Sequence, residues 1–423
     1  MALARAVIEA LRCGTPSPAA IDALGCRQTE VERQFQRLLD KDERQPIGLL
    51  IKGGFGAGKS HTLGYLEKQA LDRGFLCSRA TVNKETPLFD PRKLFRSLAT
   101  NSTKPGVCGI GLREAARGMR LRSEPYKELR HWADSNGQRV DFRFGAALTL
   151  LANSGLPGED RETMLQFCLG EPAGIAYVKS ALKSIHSLVQ GPCYTAKARV
   201  LSLQQFQFAS RLVKAAGLPG WVLFVDELEL MGCYTRLQRA KSYMEVARLL
   251  GRDASFSCPG LKCVFAITDD FEAAVIDGKG DKVEVPRLLE QRSAYVSETI
   301  SLDLAVKGMR CIADEGIALQ TVQHAELQDL YARVKALHAA AYQWDPPDVR
   351  WPEILHSTRM RQFVKSWITE WDMKRLYPFE DIELEQLEVT TNYNENGDEE
   401  PESGADDNDV IDEILAQVLP DLK

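Results

Sequence analysis

No stretch of this 423-residue chain approaches the roughly 18 to 20 uninterrupted apolar residues that a membrane span requires, so no transmembrane helix is expected. The first residues are equally unlike a signal peptide, because Arg5 and Glu9 fall inside an amphipathic helical pattern; the reading is cytoplasmic. Ten cysteines are present, but none forms a C-x-x-C pair, which removes the usual grounds for a disulfide framework or a zinc ribbon. Cys258 and Cys263 are near one another, yet no histidine lies close enough to complete a metal set. Also missing are a zinc finger, a clear recognition helix and a stripe of alternating aromatic and basic residues, so no DNA-reading element can be named. What remains is a chain 44% hydrophobic and long enough to bury a sizeable core over two or three domains.

Charge is distributed unevenly. From Glu380 to the end there are 16 acidic residues against one basic residue, Lys423, leaving 52 basic and 43 acidic residues in the body before it. A basic body joined to an acidic tail is compatible with binding DNA or an acidic partner while the tail holds that binding in check. It is equally what a solvated terminus on an ordinary basic domain looks like.

Residues 1–45 read as short helices broken at Gly14-Thr15-Pro16 and Gly25. Ile47 to Lys52 is then a short apolar run, the pattern of a strand buried on both faces of a parallel sheet. Phe75 to Val82, Trp221 to Asp226, Leu261 to Thr268 and Ala294 to Leu302 repeat that pattern, which predicts a five-stranded parallel α/β sheet. About 140 residues separate the second and third of these strands, far more than one crossover helix needs, so a helical insertion is expected at about 104–200. The core would then span 46–302, a smaller all-α lid domain 303–379, and an acidic tail 380–423. Glu395 to Asp409 is too polar to pack and reads as disordered, whereas Val410 to Leu419 regains an amphipathic helical stripe.

Two motifs carry chemistry. Gly53-Gly54-Phe55-Gly56-Ala57-Gly58-Lys59-Ser60 satisfies the phosphate-loop pattern G-x-x-x-x-G-K-[ST] between a buried strand and a helix that begins near His61. Glycines there let backbone N–H groups curl around a phosphate, and the helix N-terminus adds positive potential. Lys59 would reach the β- and γ-phosphates of ATP, and the Ser60 hydroxyl would bind Mg2+. Trp221 to Glu227 is an apolar strand ending in two carboxylates, the Walker B form. Asp226 would hold the Mg2+ and Glu227 would polarise the attacking water. An Asp-Glu pair points to the P-loop branch with an extra strand between the two motifs, where AAA+ ATPases belong.

Further candidates follow by position. Thr268 ends its strand with a hydroxyl at the height of the γ-phosphate and is the sensor 1 candidate, with Asp269 as the alternative. Arg292, or else Arg287, stands where an arginine finger would serve a neighbouring subunit of a homo-oligomer; a surface salt bridge accounts for either arginine equally well. Arg359 and Arg361 are sensor 2 candidates.

The run Gly48 to His61, the segment Asn83-Lys84-Glu85-Thr86-Pro87-Leu88 with Asp90-Pro91, Leu94 and Phe95, and the later Arg361-Gln362-Phe363 and Arg375-Leu376-Tyr377-Pro378 resemble the BrxD ATP-binding proteins of bacterial BREX phage-defence systems. The resemblance spans most of residues 1–380 and omits the tail. It implies an AAA+ ATPase similar to the origin-recognition group, acting on DNA beside a partner helicase or other defence-system proteins. Two outputs fit: an ATP-driven, DNA-associated motor or loader, and a nucleotide-dependent switch or scaffold with slow hydrolysis that recruits partners. A small-molecule kinase fits poorly, since no phosphate-acceptor site is evident.

Overall fold

The apolar runs form strands in a computed structural model that describes residues 2–14, 17–107, 110–134, 139–187, 193–291, 301–320, 324–349, 360–378 and 393. They are β1 (Ile47–Lys52), β2 (Leu76–Thr81), β3 (Ser102–Thr103), β4 (Trp221–Asp226), β5 (Leu261–Ile267) and β6 (Ile317–Ala318). The sheet order is β3-β2-β4-β5-β1-β6, with β3 antiparallel to β2 and every other pairing parallel. β5 therefore separates β1 from β4. This is a mixed α/β sheet of P-loop-like organisation.

The largely apolar character of β4 and β5 has a direct cause, since successive side chains point to opposite faces and both faces are covered. Leu50, Leu223, Val225, Cys263 and Phe265 join one cluster with Phe206, Leu212 and Tyr243, from helices Ala198–Ala215 and Arg236–Leu249. Ile51, Val222, Phe224, Val264 and Ala266 join the other with Val31, Phe35, Leu63 and Leu66, from helices Thr29–Asp40 and Lys59–Asp72. At the start of β4 the Trp221 indole stacks on Phe206 and donates Nε1–H to Ser78 Oγ at 2.8 Å, satisfying the one polar group it buries.

The sheet departs from the expected five parallel strands. Six are present among the described residues, and β3 and β6 are too short at two residues each to show any periodicity in sequence. Of the expected strand Ala294 to Leu302, residues 294–300 lie outside the described residues, and Leu302 opens a helix, Leu302–Asp314, capped by the Ser301 hydroxyl. That helix lies on Arg236–Leu249 so closely that a Cβ added at Gly308 would stand 1.9 Å from the Tyr243 carbonyl oxygen. Among the described residues, β6 pairs with the outer edge of β1.

Between β3 and Ala198–Ala215 the chain forms five helices among the described residues: Gly111–Arg117, Glu124–Asp134, Phe142–Ala152, Gly158–Cys168 and Ile175–Ser184. A third cluster joins the first helix to residues 327–371. Ile8 of helix Ala2–Cys13 packs with Leu327 and Val334 of His324–Tyr342 and with Phe363, Trp367 and Trp371 of Met360–Leu376. Arg5 Nε donates to the Ala341 carbonyl at 2.9 Å across this seam. No described helix is long and apolar enough to cross a membrane. The segment Glu395 to Asp409 and the stripe Val410 to Leu419 lie outside the described residues.

Candidate functional site

β1 runs into a glycine loop and the loop into helix Lys59–Asp72. Gly53 N–H donates to the carbonyl of Ile267 at 3.1 Å, pinning the start of the loop to the end of β5. Gly56 and Gly58 hold φ of +81° and +99°, a region that side-chain-bearing residues rarely enter, and Gly58 is the N-cap of the helix. The motif glycines are thus set by the turn itself. Backbone N–H groups at the first turn of the helix have no intrahelical acceptor, which is the local origin of an anion site.

Lys59 is buried at the base of this loop. Its ammonium donates to the carbonyls of Gly53 at 2.9 Å and Gly54 at 3.5 Å, and stands 3.4 Å from Glu229 Oε1. Glu229 is 5% exposed, and its other oxygen, Oε2, finds no hydrogen-bond partner among the described residues. Burial pushes the Glu229 carboxyl above its usual range, with Lys59 pulling it back. Glu229 reaches Lys59 because Glu227 adopts a left-handed backbone (φ 57°, ψ 39°), ending β4 and starting the 3-10 turn Leu228–Cys233.

Asp226, the last residue of β4, is buried, and its Oδ1 accepts the Glu227 N–H at 3.0 Å. Its Oδ2 has a loose contact, 3.4 Å, with Arg79 of β2, whose same nitrogen donates to the Ser60 carbonyl at 3.0 Å. Arg79 therefore ties together the two residues nominated for Mg2+. A serine hydroxyl and a carboxylate are hard oxygen donors of the kind Mg2+ takes, so the residue set fits that ion. Glu227 is exposed, yet desolvation by its surroundings and the Asp226 charge raise its carboxyl, while Lys59 and Arg361 oppose the shift.

The other candidates divide. Arg361 lies over the loop, with its guanidinium carbon 5.7 Å from the Phe55 ring centroid, its backbone N–H 3.4 Å from the Gly56 carbonyl oxygen and one nitrogen donating to the Gly14 carbonyl at 3.0 Å. His61 donates Nε2–H to the Gly25 carbonyl at 2.6 Å, and burial lowers its pKa; this bond fastens the N-terminal segment to the helix behind the loop. Together these contacts leave a cleft lined in part by Leu11, Leu24, Cys26, Ala57, His61 and Val364, with Arg27, Gln28 and Glu326 also on its wall. Thr268 is buried immediately after β5, with its Oγ 2.7 Å from the phenol oxygen of Tyr393. Asp269 is exposed, as is Arg287 in helix Asp281–Gln291. Arg292 and Arg359 lie outside the described residues.

Three residues of this neighbourhood escape a reading of the sequence. Arg79 had one signal, a lone charge in the otherwise uncharged β2; Glu229 and Tyr393 had none, because a turn and a long-range contact bring them in.

The family model described as BREX system ATP-binding protein BrxC/D matches residues 2–108 and 196–376. The gap between the two matched spans holds the five helices from Gly111–Arg117 to Ile175–Ser184, and the second span ends before Tyr393. No curated protein matches the chain.

Proposed function

The chain belongs to the family of BREX system ATP-binding proteins BrxC/D, and from that premise we propose that it is an AAA+ ATPase that hydrolyses Mg·ATP to act on DNA beside a partner helicase. The observation that carries the reading is the convergence of Lys59, Asp226, Glu227 and Thr268 on the ends of β1, β4 and β5, with Arg361 lying over the loop. In open parallel sheets, ligands bind beyond the carboxyl ends of the strands.

The residues divide the work by their chemistry. Backbone N–H groups of Gly54 to Ser60 bind the phosphates, and Lys59 exchanges its loop carbonyls and Glu229 for the β- and γ-oxygens. Ser60 and Asp226 hold the Mg2+, whose contribution is to offset phosphate charge. Glu227 orients the attacking water, its raised carboxyl being better matched to accepting a proton than an ordinary glutamate. Thr268 donates to the γ-phosphate, Arg361 closes over the nucleotide, and Arg292 or Arg287 serves the neighbouring subunit of a homo-oligomer. In this reading 46–302 is the ATPase core, and 303–379 is the lid to which the N-terminal helix is attached through the Ile8 cluster. The work is done in the cytoplasm and its product is a conformational change.

The experiment is ATP turnover with and without duplex DNA, for the wild type and Lys59→Ala. Turnover that rises with DNA and disappears in the variant supports the proposal. ATP binding without turnover under any condition would replace the motor with a nucleotide-dependent scaffold.

A further inference from the structure

Tyr393 belongs to the acidic tail, beyond the last residue matched by the family model, yet it is buried against the end of β5. Its seat is built for a ring. A Cβ added at Gly232 would come within 2.7 Å of the Tyr393 ring, Phe271 meets that ring edge-on at 6.1 Å, and Lys279 Nζ donates to the Tyr393 carbonyl at 2.6 Å. The phenol oxygen lies 2.9 Å from Asp270 Oδ1 and 2.7 Å from Thr268 Oγ.

Proton counting fixes the direction of both bonds. An ionised carboxylate only accepts, so the phenol gives its single proton to Asp270. Burial, together with the bond to Asp270, holds that proton on the phenol. The phenol oxygen must then accept from Thr268, whose hydroxyl also has one proton. With that proton committed to Tyr393, Thr268 has none to offer a γ-phosphate. Thr268 directly follows Ile267, the residue whose carbonyl pins Gly53, so the committed hydroxyl stands at the mouth of the glycine loop.

We infer that Tyr393 is an autoinhibitory plug: it withholds the Thr268 hydroxyl, and binding of a nucleoside triphosphate and seating of Tyr393 compete. The inference rests on the sensor role proposed above for Thr268. By linkage, whatever Tyr393 costs the triphosphate, the triphosphate costs the seating of Tyr393. A diphosphate, which does not reach Thr268, is indifferent to it.

The test is calorimetric titration of the full chain with the Mg2+ complexes of a non-hydrolysable ATP analogue and of ADP, for the wild type, Tyr393→Phe, Thr268→Ala and the double variant. Phenylalanine keeps the ring in its seat and frees the Thr268 proton. The expected result is about fivefold tighter binding of the analogue to Tyr393→Phe, the ratio that one ordinary net hydrogen bond represents. ADP affinity should stay unchanged, and the gain should vanish in the Thr268→Ala background. Equal or weaker analogue binding by Tyr393→Phe, with Thr268→Ala weakened, overturns the plug and leaves the sensor role standing. Analogue affinity in the double variant equal to that of Tyr393→Phe would remove the sensor role, and the plug with it.

Discussion

Asp281→Asn should destabilise the protein by about 4 kcal/mol, and the structure shows why so small a change is costly. Asp281 is fully buried and accepts from Arg239 Nε and a terminal Arg239 nitrogen, each at 2.8 Å, and from the Tyr243 hydroxyl at 2.7 Å; Arg239 itself is 1% exposed. Asparagine preserves the volume and one acceptor oxygen, but leaves a guanidinium in the core without its counter-charge. Arginine cannot discharge itself by losing a proton, so the cost falls on folding. With an unfolding entropy of roughly 2.1 cal/mol/K per residue, a loss of about 4 kcal/mol lowers the melting midpoint by about 5 °C. Arg239 lies on the helix after the turn that carries Glu229, and Asp281 opens the helix that follows the π-helical turn Glu272–Asp277 beyond Thr268, so the pair ties those two stretches of chain together. The assay is thermal and urea unfolding of Asp281→Asn beside the double variant Arg239→Met/Asp281→Leu, which removes both charges. The double variant should lose less than the single one. A shift below about 1 °C in Asp281→Asn, or a double variant that is the worse of the two, would refute the reasoning.

Arg79→Met removes the side chain that tethers Asp226 and Ser60; ATP turnover should fall about 10- to 100-fold and demand more Mg2+, which a Mg2+ titration of the rate would reveal. Lys262 of β5 is buried with its ammonium on the Lys41 carbonyl, and burial pulls its pKa down to about 8. The unfolded chain then holds the proton more tightly than the folded one, so stability should rise between about pH 8 and pH 10.5. Subtracting Lys262→Met unfolding curves from wild-type curves isolates that slope, and a flat difference would count against it. Deleting the residues after Glu380 should strengthen binding to duplex DNA and steepen its salt dependence, read by anisotropy at several salt concentrations; unchanged or weaker binding removes the masking role of the tail.

Much of the sheet was legible because β1, β2, β4 and β5 are covered on both faces and are therefore largely apolar, with Arg79 and Lys262 as the charged exceptions inside β2 and β5. β3 and β6 were not, since two residues carry no period and both strands exist only through pairing with β2 and β1. The glycine loop could be read because its geometry is local: left-handed turns at Gly56 and Gly58 and a helix start leave few residue choices. Partners that arrive from a distance could not. Glu229 reaches Lys59 through the unusual backbone of Glu227, Arg79 reaches Asp226 across strands 147 positions apart in sequence, and Tyr393 reaches Thr268 from a segment whose composition resembles solvent-exposed chain. The joining of the first helix to the last two was invisible for the same reason: an apolar stripe declares that it will be buried, not against what.

In the proposed function Glu227 acts on water while the glycine loop and Asp226 hold Mg·ATP. The most direct measurement is a paired one on Glu227→Gln, an isosteric change that abolishes the carboxylate: equilibrium binding of Mg·ATP and the rate of its hydrolysis. Affinity should stay within about twofold of the wild type while the rate falls by about 100-fold or more. A variant that hydrolyses ATP at the wild-type rate would contradict that role for Glu227.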